Sequence, residues 1–325
     1  MRLLVTGGAG YIGSVVAAQL VAAGHDVTVL DDLSTGHADA VPAGAKFVHG
    51  DIRSAETVFS VVDGIEGVLH FAAKSLVPES VAQPDRYWHD NLGGTLALLD
   101  AMRLAQVGTI VFSSTASVYG EPERVPIEES APTRPQNPYG ESKLAVDTAL
   151  AEHARMHGFG AVSLRYFNVA GAHRNEAGDW LSERHLVETH LIPNILAIAD
   201  RQAGHVSIFG ADYPTADGSC IRDYLHVSDL AAAHLLALAA AAPSQHKIYN
   251  LGSGTGYTNL EVLAACREVT GREIPAEIAA RRPGDVAVLV ASSDRINTDL
   301  GWRPERGLLD MVADAWAARR QPASA

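Results

Sequence analysis

The sequence predicts an α/β protein built on a doubly wound parallel sheet. In its first half, short runs rich in β-branched residues alternate with longer stretches of helical periodicity, which is typical of βαβ units. A glycine-rich turn follows the first run directly, and another strand-like run returns late in the chain. The early strands are predicted at 3–6, 27–30, 46–49, 67–71, 109–113 and 161–166, and the late strand at 247–251.

Two of the helices between these strands are marked by sequence signals. The stretch 11–23 is closed by Gly24, and apolar residues recur at helical spacing through 92–105. From Gly171 the regular alternation ends. The stretch 171–188 is rich in His, Asn, Gly and charged residues, so we expect a long functional loop there.

Composition limits the classes of partner. The chain has 325 residues and a net charge of −13, and nucleic-acid binding depends on many basic residues, so we expect no nucleic-acid partner. Cys220 and Cys266 form neither a CxxC pair nor a disulfide framework, which favours a cytoplasmic location. A strand that starts at Arg2 is expected to leave no room for a signal peptide. The apolar stretch 230–242 is too short to span a bilayer, so we expect no membrane partner.

The turn after the first strand predicts a dinucleotide site. Gly7, Gly10 and Gly13 form a GxxGxxG motif at the opening of a helix. Glycines at these positions let the backbone approach a pyrophosphate, which then lies on the N-terminus of the helix. A glycine triplet alone is a weak signal, but its position between a strand and a helix makes it specific.

The end of the second strand indicates which dinucleotide is bound. Asp31 and Asp32 stand about twenty residues after Gly13, where a carboxylate accepts hydrogen bonds from the adenine ribose. No Arg or Lys follows before Lys46, so nothing nearby in sequence would hold a 2′-phosphate, and NAD is favoured over NADP. The alternative is that both aspartates only solubilise the strand end. Asp51, with Ile52, ends the third strand at the same sheet edge.

A hydroxyl and amine pair predicts the catalytic groups. Tyr139 and Lys143 are four residues apart and therefore share one face of a helix, which follows a strand that ends in Thr115. A tyrosine is a poor base near neutral pH because its pKa is near ~10. A neighbouring ammonium group stabilises the phenolate. We therefore expect Tyr139 to be the acid/base, and Thr115 to share its proton with the reacting oxygen.

Several longer motifs carry a family resemblance. TGGAGYIG, LDDLSTG, GDIR, HFAAKS, FSSTASVYG, PYGESK, LRYFNVAGA, IFG, RDYLHV, YNLGSG and RRPGD occur in that order over nearly the whole chain. In order and spacing they resemble the UDP-galactose 4-epimerases of the extended short-chain dehydrogenase/reductase superfamily. The resemblance implies a Rossmann-type doubly wound parallel sheet with a smaller C-terminal α/β substrate domain. We expect an NAD-binding domain over 1–170 with a late return near 228–254, and a discontinuous UDP-sugar-binding domain over 171–325.

The resemblance also implies roles for individual residues. Lys143 would bridge to the nicotinamide ribose, besides supporting Tyr139. The cofactor would be bound by Gly7, Gly10, Tyr11, Ile12, Gly13, Asp31, Asp32, Asp51, Ile52, Phe71, Ala72, Ala73, Asn91, Tyr139, Lys143 and Phe167. The UDP-sugar would be bound by Thr115, Tyr139, Asn168, Phe209, Arg222, Arg282, Asp285 and Leu289. A homodimer packed through the helices of Leu92 and Glu141 is implied as well.

The implied reaction is the interconversion of UDP-glucose and UDP-galactose by transient oxidation at C4. That C–H has no adjacent carbonyl, so simple deprotonation cannot invert the carbon, whereas bound NAD can oxidise and restore it. A 4,6-dehydratase would need an acid/base pair after Thr115, but Ala116 and Ser117 stand there. An oxidoreductase with freely exchanging cofactor, and a non-catalytic dinucleotide-binding regulator, are the other readings.

Two substitutions within the resemblance and the choice of sugar stay open. Asp90 precedes Asn91 where some relatives have an Asn pair, so the amide contact on that side depends on Asn91. His190 stands where some relatives have Asn, which leaves that substrate contact undefined. His173, His185 and His190 lack a compact ligand spacing, so no metal is expected. A hexose, an N-acetylhexosamine, a pentose or a uronate would be distinguished by pocket shape.

Overall fold

The computed structural model describes residues 1–201, 203–282 and 285–321. The strands are β1 Arg2–Thr6, β2 Asp26–Asp31, β3 Lys46–His49, β4 Gly67–His70, β5 Thr109–Thr115, β6 Gly160–Tyr166, β7 Asn168–Ala170, β8 Ala172–Arg174, β9 Trp180–Ser182, β10 Val206–Phe209, β11 Ile221–His226, β12 Gln245–Leu251, β13 Gly256–Thr258, β14 Ala276–Ala279 and β15 Val288–Leu289. The α-helices are α1 Tyr11–Ala22, α2 Ala55–Val62, α3 Val77–Ala82, α4 Pro84–Tyr87, α5 Gly94–Leu104, α6 Pro138–His157, α7 Leu191–Arg201, α8 Val227–Ala240, α9 Asn259–Thr270, α10 Asp294–Leu300 and α11 Leu308–Arg320.

The central sheet has seven strands in the order β12-β6-β5-β4-β1-β2-β3. Each neighbouring pair is parallel, which confirms the doubly wound fold. The chain runs from β1 outward to β3 and then returns to β4 on the other side of β1. Ligands of such sheets bind in the crevice outside the carboxyl ends of the strands, at this reversal. The six early strands and the late strand begin and end within two residues of their predicted limits.

Two hydrophobic cores cover the two faces of the sheet. On one face, Val16 of α1 and Leu230 of α8 pack against the apolar side chains of β1 and β6. On the other face, Val58, Leu98 and Leu150 bring α2, α5 and α6 onto the sheet. The helix predicted at 92–105 is α5, preceded by a six-residue π-helical segment, Trp88–Gly93. Such segments are uncommon and often occur near functional sites.

A third core lies in the later part of the chain. It joins α7, α9 and α11 to β10 and β11 through buried residues such as Ile195, Leu263 and Met311. There β11 pairs with β7, β13 and β15, and β10 pairs with β14. Within the part of the chain that the structure describes, no helix is long and apolar enough to cross a membrane.

The segment 171–188 differs from the expected loop. It contains a short antiparallel hairpin in which β8 pairs with β9, with Ala172 opposite Ser182. The prediction of an irregular loop was therefore wrong for its first half. Strands of three residues are too short to show an alternating pattern. They could therefore not be recognised in a polar, glycine-containing stretch.

Backbone contacts in the first βα turn leave no room for side chains. Gly7 has φ +71°, and a Cβ there would lie 2.5 Å from the amide nitrogen of Ala72. A Cβ on Gly13 would overlap the carbonyl oxygen of Gly7. The neighbour in both cases is backbone and cannot rotate away, so this turn requires glycine at both positions.

We expect Gly13→Ala to destabilise the protein by ~2 kcal/mol or more, because the added methyl group overpacks fixed backbone. Gly108→Ala is the matched control, since a Cβ at Gly108 meets no heavy atom within 4 Å. Urea unfolding of both variants measures the free energies of unfolding. Equal stabilities for the two variants would contradict the close approach in this turn.

Candidate active site

A cavity of about 550 Å³ opens at the carboxyl ends of the central strands. It lies at the reversal between β1 and β4 and extends toward β11 and β15. The predicted site residues on its wall are Gly7, Gly10, Tyr11, Ile12, Gly13, Asp31, Asp32, Asp51, Ile52, Phe71, Ala72, Ala73, Thr115, Tyr139, Lys143, Phe167, Asn168, Arg222, Asp285 and Leu289. Residues from most of the chain thus meet on one surface.

A second cavity of about 390 Å³ continues from the first. Asn168, His190, Arg222 and Asp285 line both cavities. Phe209 and Arg282 line only the second. Because they share four lining residues, the two cavities form one continuous cleft.

The N-terminus of α1 is suited to an anion. Gly10 caps this helix without any side-chain hydrogen bond, and the first turn holds no acidic residue. Its amide groups therefore face the cavity with their donors unused, and the helix dipole favours negative charge there. Tyr11 anchors the turn, since its hydroxyl donates to the carbonyl oxygen of Gly171 at 2.7 Å. Burial, with the charges of Glu183 and Glu188, raises the pKa of Tyr11 well above its usual value.

Asp31 is fixed at the end of β2. One carboxylate oxygen accepts from the Ala9 amide at 2.9 Å, and the other from the Leu33 amide at 2.8 Å. Burial raises the pKa of Asp31, and these two amides oppose the shift. A carboxylate has about four lone-pair sites, so both oxygens can still accept ribose hydroxyl groups.

A cation near these carboxylates was missed by the sequence analysis. The ammonium of Lys74 donates to the Ser34 hydroxyl at 2.7 Å, in the loop that follows Asp32. Lys74 is distant in sequence from Asp32 and follows the end of β4, so residues close to the aspartates in sequence gave no sign of it. The part of the cleft around Asp31 and Asp32 is therefore less uniformly acidic than the sequence indicated.

Asn91, a predicted cofactor-binding residue, does not line either of the two cavities described above. Its side-chain oxygen accepts from the Lys74 amide at 2.7 Å, and its nitrogen donates to the Lys74 carbonyl and the Ser142 hydroxyl, each at 3.0 Å. It is buried behind the cavity wall, where it holds the Lys74 segment in place. Asp90 lines the cavity instead, with one oxygen 2.6 Å from Arg53, which also pairs with Asp51.

Thr115 and Tyr139 meet where β5 ends and α6 begins. Asn137 caps α6 by accepting from the Gly140 amide at 2.9 Å, which places Tyr139 in the first turn. Burial raises the pKa of Tyr139, and the Thr115 hydroxyl opposes that shift. The ring of Tyr87 packs edge-on against Tyr139, with 6.4 Å between the ring centroids. The tyrosine is therefore held in one orientation with its hydroxyl directed at Thr115.

Lys143 lies one turn further along α6, as the spacing predicted. Its ammonium donates to the Ser113 carbonyl at 2.8 Å and lies 4.7 Å from the ring centroid of Phe112. Burial lowers the pKa of Lys143 to about 7, and the Asp147 carboxylate opposes this shift. The lysine thus loses its proton more easily than an exposed one does.

The other end of the cleft concentrates positive charge. Arg222 lies 3.6 Å and Arg282 3.2 Å from the Asp285 carboxylate, which stands between them. The guanidinium of Arg282 also lies 4.5 Å from the ring centroid of Phe209. Two arginines beside one carboxylate leave a local positive excess, and guanidinium groups bind phosphate oxygens well.

Leu289 lies in the wall of the cleft and also packs against a small apolar cluster behind it. It pairs with Arg222 across β11 and β15 and lines the cavity. It also packs against the small apolar cluster of Val118, Tyr119 and Ile127. A change in its size therefore alters the volume of the cleft and the packing behind it together.

Two of the three histidines for which the sequence predicted no metal site lie close together in the structure. His185 and His190 gather with Glu183 and Glu188, whereas His173 lies apart and contacts the Ser228 hydroxyl at 3.0 Å. The sequence signal was present as the pattern E-x-H-x-x-E-x-H. It was missed because the segment does not form one helix or strand, so no regular periodicity marks a shared face.

Comparison with known proteins gives a consistent result. The model of the NAD dependent epimerase/dehydratase family matches residues 3–252. The UDP-glucose 4-epimerase of Corynebacterium glutamicum is 53% identical over 98% of this chain and 95% of its own. That of Streptomyces lividans is 54% identical over 97% and 95%. A crystal structure of UDP-glucose 4-epimerase from Stenotrophomonas maltophila, with bound NAD and formylated UDP-arabinopyranose, is 39% identical, covers 98% of both chains and has a TM-score of 0.93.

The geometry around Asp31 leads to a prediction on dinucleotide choice. We expect NAD to bind more tightly than NADP, because a 2′-phosphate would meet the carboxylates of Asp31 and Asp32. Asp31→Asn should weaken NAD binding about ten- to hundredfold through the loss of charge-assisted hydrogen bonds. Calorimetric titration measures both affinities. Asp26→Asn, at the exposed opposite end of β2, is the control, and equal binding of NAD and NADP would contradict the assignment.

Proposed function

Because this chain belongs to the NAD dependent epimerase/dehydratase family, we propose that it interconverts UDP-glucose and UDP-galactose with NAD as its cofactor. The observation that carries the proposal is the joint position of Thr115, Tyr139 and Lys143. They stand on one wall of a cleft that has an uncapped helix N-terminus at one end and two arginines at the other. Epimerases from two genera at more than half identity support the choice of substrate.

The cofactor end of the cleft fits NAD. The amides at the N-terminus of α1 would hold the pyrophosphate, and glycine at positions 7 and 13 lets this turn pack closely against the backbone that follows β4. Asp31 would accept the hydroxyls of the adenine ribose, while Lys143 would hold the nicotinamide ribose. When bound, NAD supplies the reversible oxidation of the sugar carbon.

Tyr139 would carry the proton of the sugar's 4-hydroxyl group in both directions. It takes that proton as the carbon is oxidised and returns it as the carbon is restored. Thr115 shares a hydrogen bond with the same oxygen. The surroundings of Tyr139 alone favour its neutral form, so the positive charge of Lys143 is needed to make the phenolate accessible. Removal of the positive charge of Lys143 would therefore slow the reaction.

The other end of the cleft would bind UDP. Arg222 and Arg282 would contact the diphosphate, displacing part of their pairing with Asp285. Asn168 lines both cavities and would orient the same group, and Phe209 would flank the uracil ring. The sugar then lies between this end and Tyr139, where Leu289 forms part of the wall.

We further propose the division of the chain and its assembly. The separate core of the later helices supports a UDP-sugar-binding domain over 171–325, apart from the return near 228–254, where α8 and β12 join the NAD-binding domain of residues 1–170. Exposed Leu96 and Leu104 on α5 support a homodimer through the Leu92 and Glu141 helices. Cys220 and Cys266 are both buried and unpaired, which supports a cytoplasmic enzyme.

Other nucleotide-sugar reactions are less well supported. A dehydratase needs an acid and a base beside Thr115, and Ala116 and Ser117 can supply neither. An epimerase for another UDP-sugar, an N-acetylhexosamine, a pentose or a uronate, shares every catalytic group and differs only at the sugar wall. That alternative is the second candidate, since Leu289 leaves more room than an aromatic side chain would.

We expect the purified protein to convert UDP-galactose to UDP-glucose with no added NAD. Tyr139→Phe should lower turnover by ~10² to 10⁴, because the ring stays but the proton acceptor is lost. Tyr249→Phe is the matched control, since its hydroxyl contacts Asp299 outside the cleft. The assay follows both sugars by NMR. Full activity of Tyr139→Phe would remove Tyr139 from the mechanism, and a strict need for added NAD would argue against a resident cofactor.

The size of residue 289 should set the breadth of sugar use. We expect UDP-glucose and UDP-galactose to be preferred and UDP-N-acetylglucosamine to react slowly, because Leu289 lines the cavity and would take up part of the space beside the sugar's 2-substituent. Leu289→Ser should raise the relative kcat/KM for the N-acetyl sugar, and Leu289→Tyr should abolish its turnover. An unchanged kcat/KM ratio across the three proteins would show that the wall is set elsewhere.

A further inference from the structure

Four side chains between β9 and α7 converge on one point. The cluster consists of Glu183, His185, Glu188 and His190, and its two imidazole nitrogens and two carboxylate oxygens all lie within 4.8 Å of one another. Glu183, His185 and His190 line the wall of the first cavity. The proposed reaction assigns no role to this cluster.

Hydrogen bonds account for only part of the arrangement, in which Glu188 pairs with the Nδ1 atom of His190 at 3.2 Å. The Nδ1 atom of His185 is buried and has no hydrogen-bond partner among the described residues, although Glu183 Oε1 is only 3.0 Å away. That oxygen therefore lies close to the nitrogen but outside the direction of an N–H bond. His190 Nδ1 faces two carboxylates, Glu183 at 2.5 Å and Glu188 at 3.2 Å, yet one ring nitrogen carries a single proton.

The chemistry of the four atoms fits a divalent metal ion. Imidazole nitrogen and carboxylate oxygen together are the donor set of zinc and of neighbouring first-row metals, with bonds of about 2.0–2.2 Å. In a tetrahedral site with such bonds the ligand atoms are about 3.3–3.6 Å apart, which lies within the 4.8 Å limit of this cluster. Mg²⁺ and Ca²⁺ prefer oxygen ligands alone, so two imidazoles argue against them.

The electrical setting also favours a cation. The cluster adjoins Tyr11, in the first turn of α1, where the cleft is suited to a pyrophosphate. The two carboxylates and the two imidazoles of the cluster face each other, and a divalent ion would take the position that imidazole protons otherwise occupy. It would fasten the segment before α7 to the cofactor end of the cleft.

We propose that Glu183, His185, Glu188 and His190 form a site for one divalent transition-metal ion, with zinc as the best match. The ion joins the hairpin that ends with β9 to the start of α7. Because His190 lines both cavities, the ion fixes the wall where the two cavities meet. Its role is to order this wall, so the site stands apart from the acid/base chemistry of Tyr139.

The test uses the full-length protein with its resident cofactor, freed of metal by a chelator and then dialysed. Zinc chloride is titrated by calorimetry, and the metal retained after gel filtration is measured by mass spectrometry. We expect one equivalent of zinc per chain and a Tm that rises with zinc concentration. Glu183→Gln and His190→Gln should each weaken zinc binding by about tenfold or more. His157→Gln, a histidine exposed on α6, should bind zinc as the unmodified protein does.

Two results would overturn the proposal. The first is that the unmodified protein binds zinc no more tightly than a surface histidine does. This result requires no variant. Alternatively, Glu183→Gln and His190→Gln could both fold and bind zinc as tightly as the control. Either outcome would make the four residues a metal-free cluster of protonated imidazoles and carboxylates. Neither outcome depends on the epimerase assay, so failure of the metal site and failure of the proposed function are distinguishable.

Discussion

The buried ion pair between Asp147 and Arg165 sets the position of α6, the helix that carries Tyr139 and Lys143. Their charged atoms are 2.9 Å apart and both side chains are 4% exposed. Arg165 comes from β6, and the Ser114 hydroxyl of β5 donates to the same carboxylate at 3.2 Å. Loss of one partner from such a pair typically costs ~3–5 kcal/mol, because an uncompensated charge stays buried. This pair therefore fastens α6 to two strands of the sheet at a defined rotation.

Tyr139, Lys143 and Asp147 follow each other at intervals of four residues and so lie along one face of α6. Once Asp147 is directed at Arg165, that face is turned toward the carboxyl ends of β5 and β6.

For the proposed function the cleft would have to accept two diphosphates within an acidic protein. It would do so with local features rather than with overall charge. The N-terminus of α1 offers unused amides at one end. At the other end Arg222 and Arg282 share Asp285, so the arginines are held in place by a carboxylate that can be outcompeted by a diphosphate. The middle of the cleft is set differently, because burial lowers the pKa of Lys143 to about 7 and raises that of Tyr139. Both shifts have the same cause, because burial disfavours the charged form of each group.

The parts of the site that the sequence predicted are those set by short-range geometry. The glycine turn, Asp31 at a strand end and the four-residue spacing of Tyr139 and Lys143 each follow from one element and its cap. The parts that it missed depend on distant contacts. Lys74 reaches Ser34 from another strand, and Asn91 turns away from the cleft because the Lys74 backbone and Ser142 take up its amide. The hairpin of β8 and β9 and the cluster of Glu183 and His190 lie in a polar segment without periodicity, where pattern reading gives no shared face.

The account rests on oxidation and restoration of one carbon within a closed cycle. The most direct measurement uses UDP-galactose that carries deuterium at C4, incubated with the protein and no added cofactor. NMR and mass spectrometry of the UDP-glucose formed show where the label is. The account predicts that the deuterium stays on C4 in the product, because the cofactor that removes it also returns it before release. Loss of deuterium to water would mean that the carbon is inverted by proton exchange, and would contradict the account.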